Sequence, residues 1–170
     1  MLEWEGVSEE LSGNIFENYE KFYDKIDHDK MSVERFLQTV KSKGLIFDPT
    51  LFLCIENKMD WAVRFVKRAN QIGVEICAGT DYINDLNRPF PFIFDELDLY
   101  VEKCGFYPME AIFTVTKVAA EALGVCDKVG TVEVGKQADL LILSGNPFDD
   151  IKELRKIKVV IKRGIEINVD

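Results

Sequence analysis

Apolar and polar positions alternate with a clear period along most of the chain. From Ile15 to Lys30, the residues Ile15, Phe16, Tyr19, Phe22, Tyr23 and Ile26 recur at helical spacing, with charged residues on the other face. A second helical stripe follows: Val33, Phe36, Leu37 and Val40, closed by Gly44 as a C-cap. The run "LIFDPTLFLCI" then reads as a short strand that Pro49 must end or bulge, because proline donates no ladder hydrogen bond. Residues 60–72 predict a helix with Asp60 as N-cap and Trp61, Val63, Phe65, Val66, Ala69 and Ile72 facing inward. Gly73 closes it, and "VEICAGTD" reads as a buried strand. Strand, helix and strand joined by short turns make a βαβ unit and hence a parallel pair.

Beyond Asp81, "YINDLNRPFPF" has the composition of a loop. A helix is predicted from about Asp95 to Lys103, stopped by Gly105. A single further helix is predicted from Pro108 to Leu123, with Pro108 in its first turn and Gly124 just past its end. Its expected inner stripe is Ile112, Val115, Ala119 and Leu123. The texture then changes. "GTVEVG", "ADLLIL" and "KVVIKRG" are short β-rich runs between turn residues, as in a small separate β unit.

Composition narrows the picture. With 170 residues, 47% hydrophobic and 30% charged, the chain can build one real core. The formal net charge of −9 argues against nucleic acid and against an anionic membrane as partners. No apolar run approaches a membrane span, and the first residues lack the basic and apolar regions of a signal peptide. The four cysteines, Cys54, Cys77, Cys104 and Cys126, form no C-x-x-C pair, so a reducing cytoplasm is the expected location.

One stretch imitates a phosphate-binding loop. Residues 130–137, "GTVEVGKQ", match G-x-x-x-x-G-K but place Gln137 where a Mg²⁺-binding hydroxyl is needed. An apolar run follows instead of a helix whose N–H groups could face a phosphate.

The residue with the most chemical promise is Asp81. It terminates a strand, and side chains at the C-terminal ends of parallel strands converge on sites. A carboxylate there can bind a metal or act as a base. It can equally cap a helix or close an Asx-turn.

"AGTD", "PMEAI", "AAEALG" and "GTVEVGKQADLLILSGNPFDDI", together with "DPTL" at Asp48–Leu51, resemble the C-terminal part of the metal-dependent amidohydrolase superfamily. The likeness is to its imidazolonepropionase-like and prolidase-like branch and covers roughly residues 33–167. The resemblance implies an α/β fold: a C-terminal fragment of a TIM-like (β/α)8 barrel, beginning near strand six or seven, plus part of a small β-sandwich. The barrel segment would occupy residues 1–124 and the sandwich segment 125–170. It also implies that Gly130 and Gly135 serve turns, that Asp139 satisfies turn backbone groups, and that Lys136 is a surface charge. Asp81 would correspond to the aspartate at the end of barrel strand eight, which binds a divalent metal, zinc above all, and takes a proton from the attacking water.

Such proteins draw further ligands from an H-x-H pair at strand one and from histidines at strands five and six. This chain has one histidine, His28, in the charged and helical-looking "EKFYDKIDHDKM". It reads either as a ligand or as a surface residue. The expectation is therefore a metal-dependent hydrolase of amide, cyclic amide or dipeptide C–N bonds in small molecules, inactive as this chain alone. The alternative is a non-catalytic barrel remnant used for oligomerisation or binding. Unpaired strand edges favour a homo-oligomer or a complementing N-terminal half.

Overall fold

The computed structural model describes residues 31–56, 60–83 and 85–168. The helix expected at Ile15–Lys30, and His28 with it, lie outside the described residues.

Helix α1, Met31–Ser42, buries Val33 and Leu37. Gly44 ends it in a left-handed conformation at φ 61°. Phe36 and Val40, expected on the same stripe, sit at its edge: Phe36 is exposed but faces the Phe65 ring at 6.4 Å between centroids.

The next segment corrects the expectation of a strand through "LIFDPTLFLCI". Phe47 alone makes a β-bridge, and after Pro49 the chain turns at Thr50 (φ 46°) into a short helix, α2, Leu51–Glu56. Local composition favours β structure there, but a distant carboxylate receives the first free amides of the helix. Helix α3, Asp60–Ile72, buries Ala62, Val66, Ala69 and Ile72. Trp61, Val63 and Phe65 are only half-buried, so the core-facing stripe is centred one residue away from the expected one. The Lys41 ammonium donates to the Ile72 carbonyl at 2.7 Å, occupying one of the orphan acceptors at the end of α3.

The parallel pairing appears as expected, in minimal form. Phe47 and Ile76 form a parallel bridge: Phe47 N–H donates to Glu75 O (2.9 Å) and Cys77 N–H to Phe47 O (3.1 Å). Val74 and Ile76 are buried and Glu75 is exposed, the period of two that a strand imposes.

Helix α4, Ile93–Cys104, turns Glu96, Leu97, Tyr100 and Cys104 into the core and ends at Gly105 (φ 77°). The single helix expected from Pro108 to Leu123 is two. Helix α5 spans Pro108–Val115 and α6 spans Lys117–Ala122, with Thr116 between them at φ −119°, ψ −87°. Three side interactions accompany the break. The Thr116 hydroxyl donates to Ile112 O (2.7 Å), the Thr114 hydroxyl to Ala111 O (2.6 Å), and the Thr114 carbonyl accepts from Ala78 N–H (3.1 Å). Threonines bonding back to the preceding turn bend helices. The break also moves the inner face: Ala111, Thr114, Val118 and Ala120 are buried, while Leu123 is 76% exposed.

The last part is an antiparallel sheet of β1 (Leu140–Leu143), β2 (Ile157–Lys162) and β3 (Ile165–Ile167), in that order, with an irregularity between Ile142 and Leu143. β1 and β2 are the expected runs. "GTVEVG" is a loop rather than a strand, with Val132 and Val134 exposed. A 3-10 turn, Ile151–Arg155, packs this part onto α4. Ile151 joins the main core, Arg155 pairs with Asp98 at 2.8 Å, and Lys152 pairs with Glu102 at 2.7 Å. No helix among the described residues is long and apolar enough to cross a membrane.

Candidate functional site

The parallel bridge brings two segments of the chain to a common end. Both strands run the same way, so the turns that follow them emerge at the same end. Asp48 follows Phe47 on one, and Gly79, Thr80 and Asp81 follow Cys77 and Ala78 on the other. "VEICAGTD" makes a single bridge at Ile76 rather than the expected strand, and Asp81 lies beyond that bridge. It is exposed and holds φ 46°, a left-handed conformation uncommon outside glycine. Residues in such conformations concentrate at functional sites.

Asp48 lies against Gly79 so closely that a Cβ there would meet Asp48 Oδ2 at 2.5 Å. Asp48 also accepts the Thr50 N–H at 3.3 Å, closing an Asx-type turn. That turn is held from below. Leu51 N–H donates to Glu96 Oε1 at 2.9 Å and Phe52 N–H to Glu96 Oε2 at 2.5 Å. Glu96 is fully buried, and so is Tyr100 one helical turn later. The Tyr100 hydroxyl donates to Cys77 O at 3.3 Å, and the phenol feels the Glu96 charge.

Burial pushes the Glu96 carboxyl up to about 7. The amides of Phe52 and Leu51 and the Tyr100 hydroxyl oppose that rise, and the Asp48 charge adds to it. The same burial, reinforced by Glu96, raises the Tyr100 phenol. It pushes the Cys104 thiol up to about 12 and raises Cys54, again with Glu96 adding to the effect. Burial and then the Asp48 charge raise Cys77. These thiols are poor nucleophiles.

The loop after Asp81 is pinned by rings. Tyr82 packs edge-on against Phe52 (5.5 Å) and Phe92 (4.8 Å), and Phe52 lies 4.8 Å from Phe92. The Arg88 guanidinium sits 4.1 Å from the Phe92 ring centre and 2.6 Å from Asp95. Ile83 and Leu86, which follow Asp81 in the sequence, stand almost fully exposed.

Sequence reasoning missed Glu96 and the part played by Asp48. The signal for Glu96 was present. It shares a helical face with Leu97, Tyr100 and Cys104, and a carboxylate on an apolar stripe needs a partner.

The described residues do not compose a metal centre. No group of three or more histidine, cysteine or acidic side chains is gathered among them, and Asp81 supplies one carboxylate. Three protein ligands is the usual minimum for a catalytic zinc. The phosphate-loop imitation also fails in space. Lys136 is largely covered and donates to Thr131 Oγ1 (2.5 Å) and Glu133 (3.3 Å), and the chain continues into β1 rather than a helix. It is therefore a tied side chain rather than a free surface charge. Asp139 does serve turn backbone: its Oδ1 accepts Arg163 N–H at 2.7 Å and its Oδ2 accepts from Lys162 at 2.6 Å.

Residues 23–167 match the model of the amidohydrolase family. The imidazolonepropionase of Thermoplasma acidophilum is 35% identical over 95 residues, which are 54% of this chain and 23% of that protein. The ochratoxinase of Aspergillus niger is 28% identical over 154 residues, 79% of this chain and 31% of that protein. A Xaa-Pro dipeptidase solved with methionine in its active site superposes with a TM-score of 0.69 at 25% identity, covering 90% of this chain and 43% of that one. A prolidase-like protein from Bifidobacterium longum gives 0.62 at 32% identity, covering 72% and 35%. The chain thus spans less than half the length of each.

Proposed function

The chain belongs to the amidohydrolase family, and from that premise we propose that it forms the C-terminal part of a hydrolase of C–N bonds in small amide, cyclic amide or dipeptide substrates. The observation that supports this reading is the placement of Asp81, exposed and left-handed beyond a strand that pairs in parallel with its neighbour. There its carboxylate takes a proton from water as the water attacks a carbonyl, the work of a general base. The exposed Ile83, two residues on, offers apolar contact to the substrate.

In the same reading Asp81 is the single metal-ligating carboxylate of the described residues, and the other ligands come from outside them. With one histidine in 170 residues, the chain by itself has no hydrolase activity. We divide it at residues 124 and 125 into a barrel segment and a sandwich segment, with the turn at Ile151–Arg155 as the seam.

A chimera tests the reading. Residues 31–168 replace the corresponding part of the Xaa-Pro dipeptidase, and turnover is measured on dipeptides and cyclic amides. A folded chimera should hydrolyse at least one, and Asp81→Asn should lower kcat by about 100-fold or more. Full activity in the Asp81→Asn chimera, or turnover by the 170-residue chain alone, would overturn it.

A second reading is a module that associates without catalysis. Exposed Leu123, Val132, Val134 and Ile165 favour it, since apolar surface of this kind commonly meets another chain. Sedimentation of the chain at tens of micromolar distinguishes a homo-oligomer from a monomer.

A further inference from the structure

Glu96 is a buried carboxylate with no place in the proposed chemistry. It sits on α4 and reaches across to the turn at residues 48–50 by accepting both Leu51 and Phe52 amides. That turn carries Asp48, whose carboxylate packs on Gly79, two residues before Asp81. A second route runs through Tyr100, which is buried one helical turn from Glu96 and whose hydroxyl donates to the Cys77 carbonyl on the segment that leads to Asp81. One face of α4 therefore holds both segments that frame the site, through Glu96 on one side and Tyr100 on the other.

We propose that Glu96 is a positioning residue for the Asp81 loop, acting through the Asp48 turn on one side and through Tyr100 and Cys77 on the other. The hydroxyl of Tyr100 has one proton. With Glu96 ionised, its carboxylate accepts the two amides and its charge acts on the Tyr100 hydroxyl. With Glu96 protonated from solvent, the oxygen that carries the proton accepts its amide more weakly, and the Tyr100 hydroxyl keeps donating to Cys77 O without a charge beside it. The two states hold the two strand ends differently.

The titratable groups around Glu96 come from each packed element: Asp48 from the turn, Cys54 from α2, and Tyr100 and Cys104 from its own helix. Burial and the Asp48 charge place the change near neutral pH. Because both thiols and the phenol stay neutral there, Glu96 is the group in this cluster that changes charge.

The importance of Asp81 is taken from the proposed function, but the coupling is measured without turnover, so either can fail alone. The experiment follows the amide signals of the full chain by two-dimensional ¹H–¹⁵N NMR from pH 5 to 9. Leu51, Phe52, Gly79 and Asp81 should shift with one shared midpoint near 7. Glu96→Gln should abolish that shared transition in all four. Should Glu96→Gln fail to fold, Tyr100→Phe serves instead: it should reduce the shift at Gly79 and Asp81 while leaving it at Leu51 and Phe52. The proposal is overturned if Gly79 and Asp81 do not follow the midpoint of Leu51 and Phe52, or if their transition survives in Glu96→Gln. A purely structural role would lower the melting temperature in the variant and leave no shared midpoint in the wild type.

Discussion

Gly79 has no side chain because Asp48 occupies the space where one would begin. A Cβ at Gly79 would lie 2.5 Å from Oδ2 and 3.1 Å from Oδ1 of Asp48. The Asp48 carboxylate could swing away only by giving up the Thr50 amide. Gly79→Ala should therefore destabilise the chain by about 1–3 kcal/mol, the usual cost of overpacking. In an Asp48→Ala background the same substitution should cost at least about 0.5 kcal/mol less, since touching residues couple. Urea unfolding of the four-variant cycle measures both values.

Glu96 should make stability fall as pH rises. Its folded value, about 7, is above the ordinary 4.5, so the folded chain binds more protons than the unfolded chain between those pH values. Its favourable contribution is complete below about pH 4.5 and is lost as pH climbs through about 7. The change is on the order of 3 kcal/mol, at about 1.4 kcal/mol per pH unit. The unfolding free energy of the wild type minus that of Glu96→Gln, taken at pH 5 and pH 8, should drop by that order. A flat or rising difference would refute it.

The two glycines of "GTVEVGKQ" should respond unequally to alanine. Both hold positive φ, 97° at Gly130 and 94° at Gly135. At Gly135 a Cβ meets nothing within 4 Å, whereas at Gly130 it would meet the Ala120 Cβ at 2.7 Å and the Thr116 carbonyl at 3.1 Å. Gly135→Ala carries backbone strain alone, about 1 kcal/mol. Gly130→Ala adds a clash with helix α6 and should lower the melting temperature clearly more. Equal melting temperatures for the two variants would show that the contact yields.

Asp139 acts with the opposite sign to Glu96. The Lys162 ammonium, the Arg163 amide and Gln137 hold its carboxyl down to about 2, below the usual 3.8. Its support is present above about pH 3.8 and disappears as pH falls through about 2. Asp139→Ala should speed amide exchange at Arg163 and Gly164, which join β2 to β3, and leave the amides of α4 unchanged.

Periodicity alone determined much of this molecule. The helices at Met31–Ser42, Asp60–Ile72 and Ile93–Cys104, their glycine stops, and the strands at Leu140–Leu143 and Ile157–Lys162 were legible because burial on one face repeats with the period of the element. The short text ahead of Asp81 likewise marked the parallel pairing that Phe47 and Ile76 make. Tertiary structure decided the rest. Residues 51–56 have a strand-like composition yet form a helix, because Glu96, 45 residues from Leu51, supplies the acceptor for its first amides. The helix from Pro108 breaks at Thr116, with the Thr114 carbonyl bonded to Ala78. Val132 and Val134 alternate as a strand would and remain a loop, since no described strand lies beside them to accept their hydrogen bonds. In each case the deciding group is remote in sequence, and a local pattern carries no information about a partner that only folding brings near.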